Sequence, residues 1–264
     1  TVLPVDTFGR VNPAMVKAAI TDKTILISIM HANNEVGTIQ PIEEIAMLAS
    51  QRGILLHTDA AQSVGKISVR VEELDIDLLS IAGHKFYAPK GIGALYIRSG
   101  VELGRLMHGA NHETGRRPGT ENVLEIVGLG QAAKIAAEDL DINAVHMCNL
   151  RERLWQGMQE VLDDPESIRL NGNNDQCLPN TLSVGFRGMA ANTLQARISD
   201  RVAVSAGAAC HAEGVDVSTV LQAMDAPLEY AMGTLRFSVG KMSTDAEIDL
   251  AVQVVAEEVC TLGG

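Results

Sequence analysis

Strands and helices alternate along the first part of the chain, and this alternation narrows the possible folds more than any other feature. The apolar, β-branched run "TDKTILISIMH" predicts a strand, and "PIEEIAMLASQRG" after it has helical spacing, with Pro41 suited to a first turn and Gly53 to a helix end. A second strand lies in "ILLHTDAAQSVG", and "VEELDIDLLSIAG" predicts a short helix and a third strand. This order predicts βαβ units, a mostly parallel sheet and an α/β fold.

The second part of the chain has a different order of predicted helices and strands. Long helices are predicted over residues 122–140 and 143–162. After Pro165 the pattern predicts the strands "NTLSVGF", "VAVSAGAAC" and "TLRFSVG", the short helix "TVLQAM", and a closing helix capped by Thr244. We therefore expect a large domain over residues 1–140 and a smaller α+β domain over residues 141–264.

Composition excludes several classes of function. A net charge of −12 argues against a nucleic-acid partner, because phosphate binding needs clustered Lys and Arg. No apolar stretch reaches the ~18 residues of a membrane-spanning helix, so we expect a cytoplasmic protein without a membrane partner. The 4 cysteines lack the paired spacing of zinc or redox motifs. We expect free thiols and no metal.

Three polar sets follow the predicted strands: Asn33 with Asn34, Asp59 with Gln62, and His84 with Lys85. In an open parallel sheet, ligands bind outside the carboxyl ends of the strands. These side chains are therefore the candidate functional residues.

Lys85 and Asp59 indicate a particular chemistry when they are taken together. Lys85 alone fits an ordinary turn lysine as well as an amine that condenses with a carbonyl, and Asp59 alone fits a helix cap. Pyridoxal 5'-phosphate needs both a lysine for its aldehyde and a carboxylate on its pyridine nitrogen. A lysine and an aspartate that end neighbouring strands match that need.

Seven segments along the chain form a recognisable series: "HANNEVGTIQPIEEIA", "LLHTDAAQSVGK", "GHKFYAPKGIGALYI", "RRPGTENV", "LPNTLSVGF", "SAGAACHAE" and "TLRFSVGK". In this order they resemble the pyridoxal-phosphate-dependent cysteine desulfurases and selenocysteine lyases, which are class V aminotransferase-like proteins. The resemblance covers nearly the whole chain and implies a type I, aspartate aminotransferase-like transferase fold and a homodimer.

The resemblance implies a role for each matching residue around the cofactor. Lys85 corresponds to the lysine that forms the Schiff base, and His84 to a residue at the cofactor phosphate. Asp59 corresponds to the acid at the pyridine nitrogen, and Gln62 to the donor near the phenolic oxygen. Thr120 corresponds to the threonine that reaches the phosphate of the partner subunit.

The resemblance also implies substrate and catalytic residues. Asn34, expected beside the cofactor as well, and Arg236 match the contacts to the substrate carboxylate. Cys210 matches the catalytic cysteine, on a stretch with the small residues of a mobile loop; the adjacent His211 is a candidate for lowering the pKa of its thiol. L-cysteine would yield L-alanine and a persulfide on Cys210, for transfer to a sulfur-acceptor protein, as in iron–sulfur cluster assembly.

Two departures and three alternatives accompany this interpretation. Ala82 stands where many desulfurases carry a serine for the phosphate. The family's upstream segment, which cradles the phosphate and stacks a histidine on the ring, has no match here. We therefore expect a further segment upstream. The nearest alternative function is selenocysteine lyase. The others are an incomplete, non-catalytic scaffold and an aminotransferase of the same fold.

Overall fold

The computed structural model describes residues 1–162, 164–211 and 214–263, without the side chains of residues 208–216. It contains two compact units. The mixed-sheet unit comprises Ile20–His31 and Ile42–Leu140, and the antiparallel-sheet unit comprises Thr1–Ala19, Ala32–Pro41 and Asp141–Gly264. Two N-terminal segments thus pack with the C-terminal part of the chain. The continuous division into residues 1–140 and 141–264 stays a prediction.

The mixed-sheet unit is built on a sheet of strand order β1-β2-β3-β4. Its strands are β1 (Leu26–Met30), β2 (Leu55–Asp59), β3 (Leu78–Ala82) and β4 (Gly93–Ile97). β1, β2 and β3 run parallel, which confirms the predicted mostly parallel α/β sheet, whereas β4 pairs with β3 in the antiparallel direction. The chain between β3 and β4 is too short for a crossover of a dozen or more residues, so β4 folds back as the arm of a hairpin.

One helix of this unit packs against a strand of its sheet. The helices are α2 (Ile42–Ser50), α3 (His112–Gly115) and α4 (Val123–Glu138). α2 packs against β2, and Ile45 and Leu56 are fully buried. The predicted short helix before β3 is wrong: the chain there forms turns, with Leu74 bonded to the Arg70 carbonyl, and a segment of this length offers too few hydrogen bonds to offset helix nucleation.

The antiparallel-sheet unit contains a sheet of order β5-β6-β10-β7 and a two-stranded sheet, β8-β9. The strands are β5 (Ile168–Leu170), β6 (Thr181–Phe186), β7 (Ser205–Ala206), β8 (Ala208–His211), β9 (Gly214–Val217) and β10 (Thr234–Ser238). The helices are α1 (Pro13–Ala19), α5 (Leu140–Val161, which begins one residue before the unit), α6 (Ala191–Ile198), α7 (Thr219–Ala223), α8 (Leu228–Ala231) and α9 (Asp245–Gly263). This unit has an α+β composition, but with its two N-terminal segments it is the larger of the two units.

Apolar packing joins the sheet of this unit to its long helices. All six residues of β6 are buried, and the core around them includes Leu154 of α5, Leu194 of α6 and Val255 of α9. α9 begins as predicted, because the Thr244 hydroxyl accepts the N–H of Glu247 while the Glu247 carboxylate accepts the N–H of Thr244.

The side chains of three of the 4 cysteines are described. Cys148, Cys177 and Cys260 are free thiols, as expected. Within the part of the chain that the structure describes, we find no helix with the length and apolar character needed to cross a membrane.

Candidate functional site

Lys85 lies in a tight turn directly after β3. Residues Gly83–Phe86 form one turn of 3-10 helix, which Tyr87 ends in the left-handed conformation at φ 71°. The N–H of Ala88 donates to the Gly83 carbonyl at 3.1 Å. Phe86 is buried and anchors the turn, whereas the side chains of His84 and Lys85 are exposed. The turn therefore presents an imidazole and an amine to whatever binds at this sheet edge.

Asp59 is the last residue of β2 and is exposed. Its Oδ1 accepts the N–H of Ala61 at 2.8 Å, which makes a local turn rather than the helix cap that was the alternative for this residue. Asp59 pairs with Ser80 of β3, and the N–H of Ala60 donates to the Ser80 carbonyl at 3.0 Å. Gln62 follows in the same turn and is half-buried. Both the carboxylate and the amide are thus presented at the carboxyl end of β2.

The Asp59 and Lys85 segments meet the chemical needs of pyridoxal phosphate. β2 and β3 are neighbouring parallel strands, so Asp59 and the Lys85 turn lie at the same edge of one sheet. An exposed carboxylate suits a protonated ring nitrogen, and an exposed amine suits an aldehyde carbon. The residues present in the mixed-sheet unit therefore fit this cofactor.

A row of polar side chains lies beside Asp59 and was not expected. His57, two residues earlier on β2 and so on the same face, has Nδ1 2.8 Å from the Ser28 hydroxyl and Nε2 2.9 Å from the Ser80 hydroxyl. The row links β1, β2 and β3. A polar residue at the middle position of each of the three strands was the signal that sequence reasoning missed.

Thr120 lies in the exposed segment that leads into α4. That helix begins after Asn122, whose side-chain oxygen accepts the N–H of Glu125. Ala82 precedes the Lys85 turn. Its methyl side chain forms no capping hydrogen bond to that turn, whereas a serine hydroxyl is able to form hydrogen bonds.

Arg236 and Asn34 contact each other within the antiparallel-sheet unit. Nη1 of Arg236 donates to the main-chain carbonyl of Asn34 at 2.6 Å, so the backbone rather than the side-chain amide of Asn34 makes this contact. Nη2 of Arg236 donates to the Ser205 hydroxyl at 2.9 Å. Ser205 is the register partner of Arg236 across β7 and β10, a relation that only strand pairing reveals. The guanidinium group is therefore held at both of its terminal nitrogens.

Asn33 shapes the segment that carries Asn34. Its side-chain Oδ1 accepts the N–H groups of Glu35 and Val36 at 2.8 and 3.0 Å. These two hydrogen bonds therefore fix the turn that contains the Asn34 carbonyl. Asn33 and Asn34 follow β1, but they belong to the antiparallel-sheet unit.

Cys210 is the expected catalytic residue, and its side chain lies outside the described part of the structure. The backbone there forms β8, which pairs with β9 so that Cys210 stands opposite Val215. Strand pairing thus occurs within the stretch that was expected to form a loop. The side chain of His211 also lies outside the description.

Two buried basic residues near the strand ends were missed by sequence reasoning. His31 follows β1, is 4% exposed, and burial lowers its pKa to about 4. Lys66 lies seven residues after Asp59 and is 8% exposed; burial, together with the charge of Lys85, lowers its pKa to about 8. Both groups lie beside segments that carry candidate site residues.

Comparison with known proteins agrees with this geometry. The family model "Aminotransferase class-V" matches residues 1–251. The chain is 44% identical to the cysteine desulfurase IscS of Methanosarcina thermophila over 258 residues, which cover 97% of this chain and 63% of the relative. A cysteine desulfurase IscS of Clostridium botulinum is 43% identical over the same share of the chain and 64% of its own. The chain thus spans less than two thirds of the length of these relatives.

Solved structures with this architecture include a NifS-like protein, with a TM-score of 0.90 and 37% identity, which covers 99% of this chain and 68% of its own. A NifS-like protein from Rickettsia africae has a TM-score of 0.88 and 28% identity over 98% of this chain and 69% of its own. Sequence motifs, sheet topology and overall architecture lead to the same assignment: the chain belongs to the class V aminotransferase family.

Proposed function

We propose that the whole protein is a pyridoxal-phosphate-dependent cysteine desulfurase. It removes sulfur from L-cysteine, releases L-alanine and holds the sulfur as a persulfide on Cys210 for transfer to an acceptor protein. The observation that carries the proposal is the exposed amine of Lys85 and the exposed carboxylate of Asp59 at the carboxyl ends of adjacent parallel strands. The names of the two curated relatives described above support it.

The cofactor-binding roles follow from the chemistry of each side chain. Asp59 would hold the protonated ring nitrogen, and Gln62 would donate to the phenolic oxygen. His84 would bind the phosphate, and Thr120 would bind that of the partner subunit in a homodimer. When bound, pyridoxal phosphate supplies an electron-poor ring that delocalises negative charge from the substrate α-carbon.

The substrate carboxylate is assigned to Arg236 together with Asn34. The planar guanidinium fork suits a carboxylate, and the Asn34 carbonyl and Ser205 hydroxyl fix its orientation before substrate arrives. The side-chain amide of Asn34 is exposed and adds a donor for the substrate or cofactor. Binding of the cysteine carboxylate in this arrangement would fix the position of the substrate α-carbon.

Lys85 and Cys210 would carry the chemical steps. The Lys85 amine takes the proton from the substrate α-carbon. The Cys210 thiolate then attacks the substrate sulfur: a sulfur–sulfur bond forms, the bond from sulfur to the β-carbon breaks, the β-carbon takes up a proton, and the α-carbon regains a proton from Lys85. The products are alanine and the Cys210 persulfide.

The test uses the whole protein, supplied with pyridoxal phosphate. We expect a visible absorbance band that is lost in Lys85→Ala, and release of alanine from L-cysteine. Cys210→Ala should keep the band but form no persulfide. Colourless protein would contradict the enzyme and favour a scaffold, near-exclusive use of selenocysteine would favour the lyase, and transamination of the cofactor with release of a keto acid would favour an aminotransferase.

A further inference from the structure

Lys66 is a buried lysine whose role is not explained by the proposed reaction. It is 8% exposed, although lysine side chains rarely lose contact with water because removing an ammonium group from solvent is costly. Its Nζ donates a hydrogen bond to the main-chain carbonyl of Lys85 at 3.0 Å. Its pKa of about 8 leaves the amine mainly protonated at neutral pH, so the bond is charge-assisted.

The Lys85 carbonyl is a group that needs such a donor. It lies at the carboxyl end of the 3-10 turn, where helical carbonyls have no N–H from a following turn. The left-handed Tyr87 redirects the chain, and the N–H groups of Tyr87 and Ala88 both donate to the Gly83 carbonyl instead. Lys66 therefore supplies a donor at a point where the backbone has turned away.

Close packing brings the two segments together at this contact. Gly65 has a positive φ of 74°, and a Cβ at Gly65 would lie 3.1 Å from Cβ of Phe86. Phe86 is the buried residue of the Lys85 turn. The segment after Asp59 and the turn after β3 thus approach closely at Gly65, and the hydrogen bond from Lys66 joins them.

We propose that Lys66 is a positioning residue, which holds the Lys85 carbonyl and so fixes the turn that presents the Lys85 amine next to the Asp59 segment. The catalytic meaning of this contact rests on the proposed role of Lys85. The contact itself concerns only the turn and is measurable without cofactor.

The first measurement is amide hydrogen exchange over residues 83–88 in the cofactor-free whole protein. Lys66→Met keeps an unbranched chain of similar length but removes the donor, and we expect exchange in this segment to be about tenfold faster, equivalent to one lost hydrogen bond. Lys66→Arg keeps a cationic donor and should restore protection. Lys90→Met, which removes an exposed lysine of the same connection, is the matched control and should leave exchange unchanged.

The second measurement is turnover of L-cysteine by the loaded enzyme. Lys66→Met should lower kcat about tenfold with KM within about twofold, because the Lys85 amine is displaced while the Arg236 contact is untouched, and Lys66→Arg should recover most of kcat. Urea unfolding of each variant separates loss of the turn from loss of the fold.

The outcomes distinguish this proposal from the proposed function. If the wild-type protein releases no alanine, the function fails and hydrogen exchange alone decides whether Lys66 orders the turn. Unchanged exchange in Lys66→Met overturns the proposal. It is also overturned by faster exchange with unchanged kcat in an active enzyme, or by a loss that tracks global unfolding and is not rescued by Lys66→Arg.

Discussion

At the scale of single residues, exposure separates two kinds of ionisable group. Asp59, His84 and Lys85 are exposed at strand ends, where a ligand meets them. His31 and Lys66 are buried behind the same segments, with lowered pKa values. Position after a strand is visible in the sequence, and it identified the first group. Burial of one side chain is decided by what packs around it, and so the second group was missed.

His31 predicts a loss of stability in mild acid. Burial lowers its pKa to about 4, from 6.5 in an unfolded chain, so between these values the unfolded state binds a proton that the folded state does not. The free energy of unfolding should therefore fall as the pH falls through this window. At pH ~4.5, protonation of His31 in the unfolded chain lowers the free energy of unfolding by about 2–3 kcal/mol relative to neutral pH.

Urea unfolding near pH 7 and pH 4.5 measures this contribution. His31→Gln, which does not titrate, should lose about 2–3 kcal/mol less than the wild type between the two pH values. His108→Gln replaces an exposed histidine and should retain the wild-type dependence. Equal pH dependence in His31→Gln and wild type would show that His31 is not the group responsible.

At the scale of elements, the hairpin between β3 and β4 decides how the site is presented. The N–H of Gly83 donates to the Ile92 carbonyl at 3.0 Å, which closes the hairpin at the start of the Lys85 turn. A Cβ at Gly83 would lie 2.9 Å from that carbonyl oxygen and 3.1 Å from Cβ of Ala88. The backbone approach here leaves no room for a side chain.

Replacing Gly83 with alanine should therefore destabilise the protein. We expect Gly83→Ala to lower the free energy of unfolding by about 1–3 kcal/mol, since the hairpin must open to admit the methyl group. Gly104→Ala is the matched control: a Cβ there meets nothing within 4 Å, so stability should change by less than about 0.5 kcal/mol. Chemical denaturation compares them; equal effects would refute the steric argument.

At the scale of the whole molecule, the proposed dimer offers a reason for an unusual helix. None of the residues of α4 is buried, and Leu124 is 84% exposed. A helix with exposed apolar side chains is typical of an interaction surface. α4 follows Thr120, the residue expected to reach the partner's cofactor. We therefore expect α4 to lie at the interface of the homodimer.

Analytical ultracentrifugation of the whole protein tests this expectation. Leu124→Lys should raise the dimer dissociation constant at least about tenfold, because a charge in an apolar interface is desolvated without a partner. Ile25→Lys, at another apolar residue that is 81% exposed, should leave the constant unchanged. An unaltered dimer in Leu124→Lys would place the interface elsewhere.

The sequence by itself determined the local structure and the chemical types at the strand ends. The strands β1, β2 and β3, the helices α2, α4 and α5, and the Thr244 cap follow from periodicity and capping residues, which act over a few positions of chain. Asp59 and Lys85 were recognisable for the same reason, because each lies near the end of a predicted strand.

Only the tertiary structure decided which distant groups meet. The antiparallel direction of β4, the bond from Arg236 to Ser205 and the bond from Lys66 to the Lys85 carbonyl join residues that no local pattern relates. No local pattern predicts that Thr1–Ala19 and Ala32–Pro41 pack within the antiparallel-sheet unit. Such contacts depend on strand register and on close packing of the complete core, which are properties of the folded chain and not of any short segment of it.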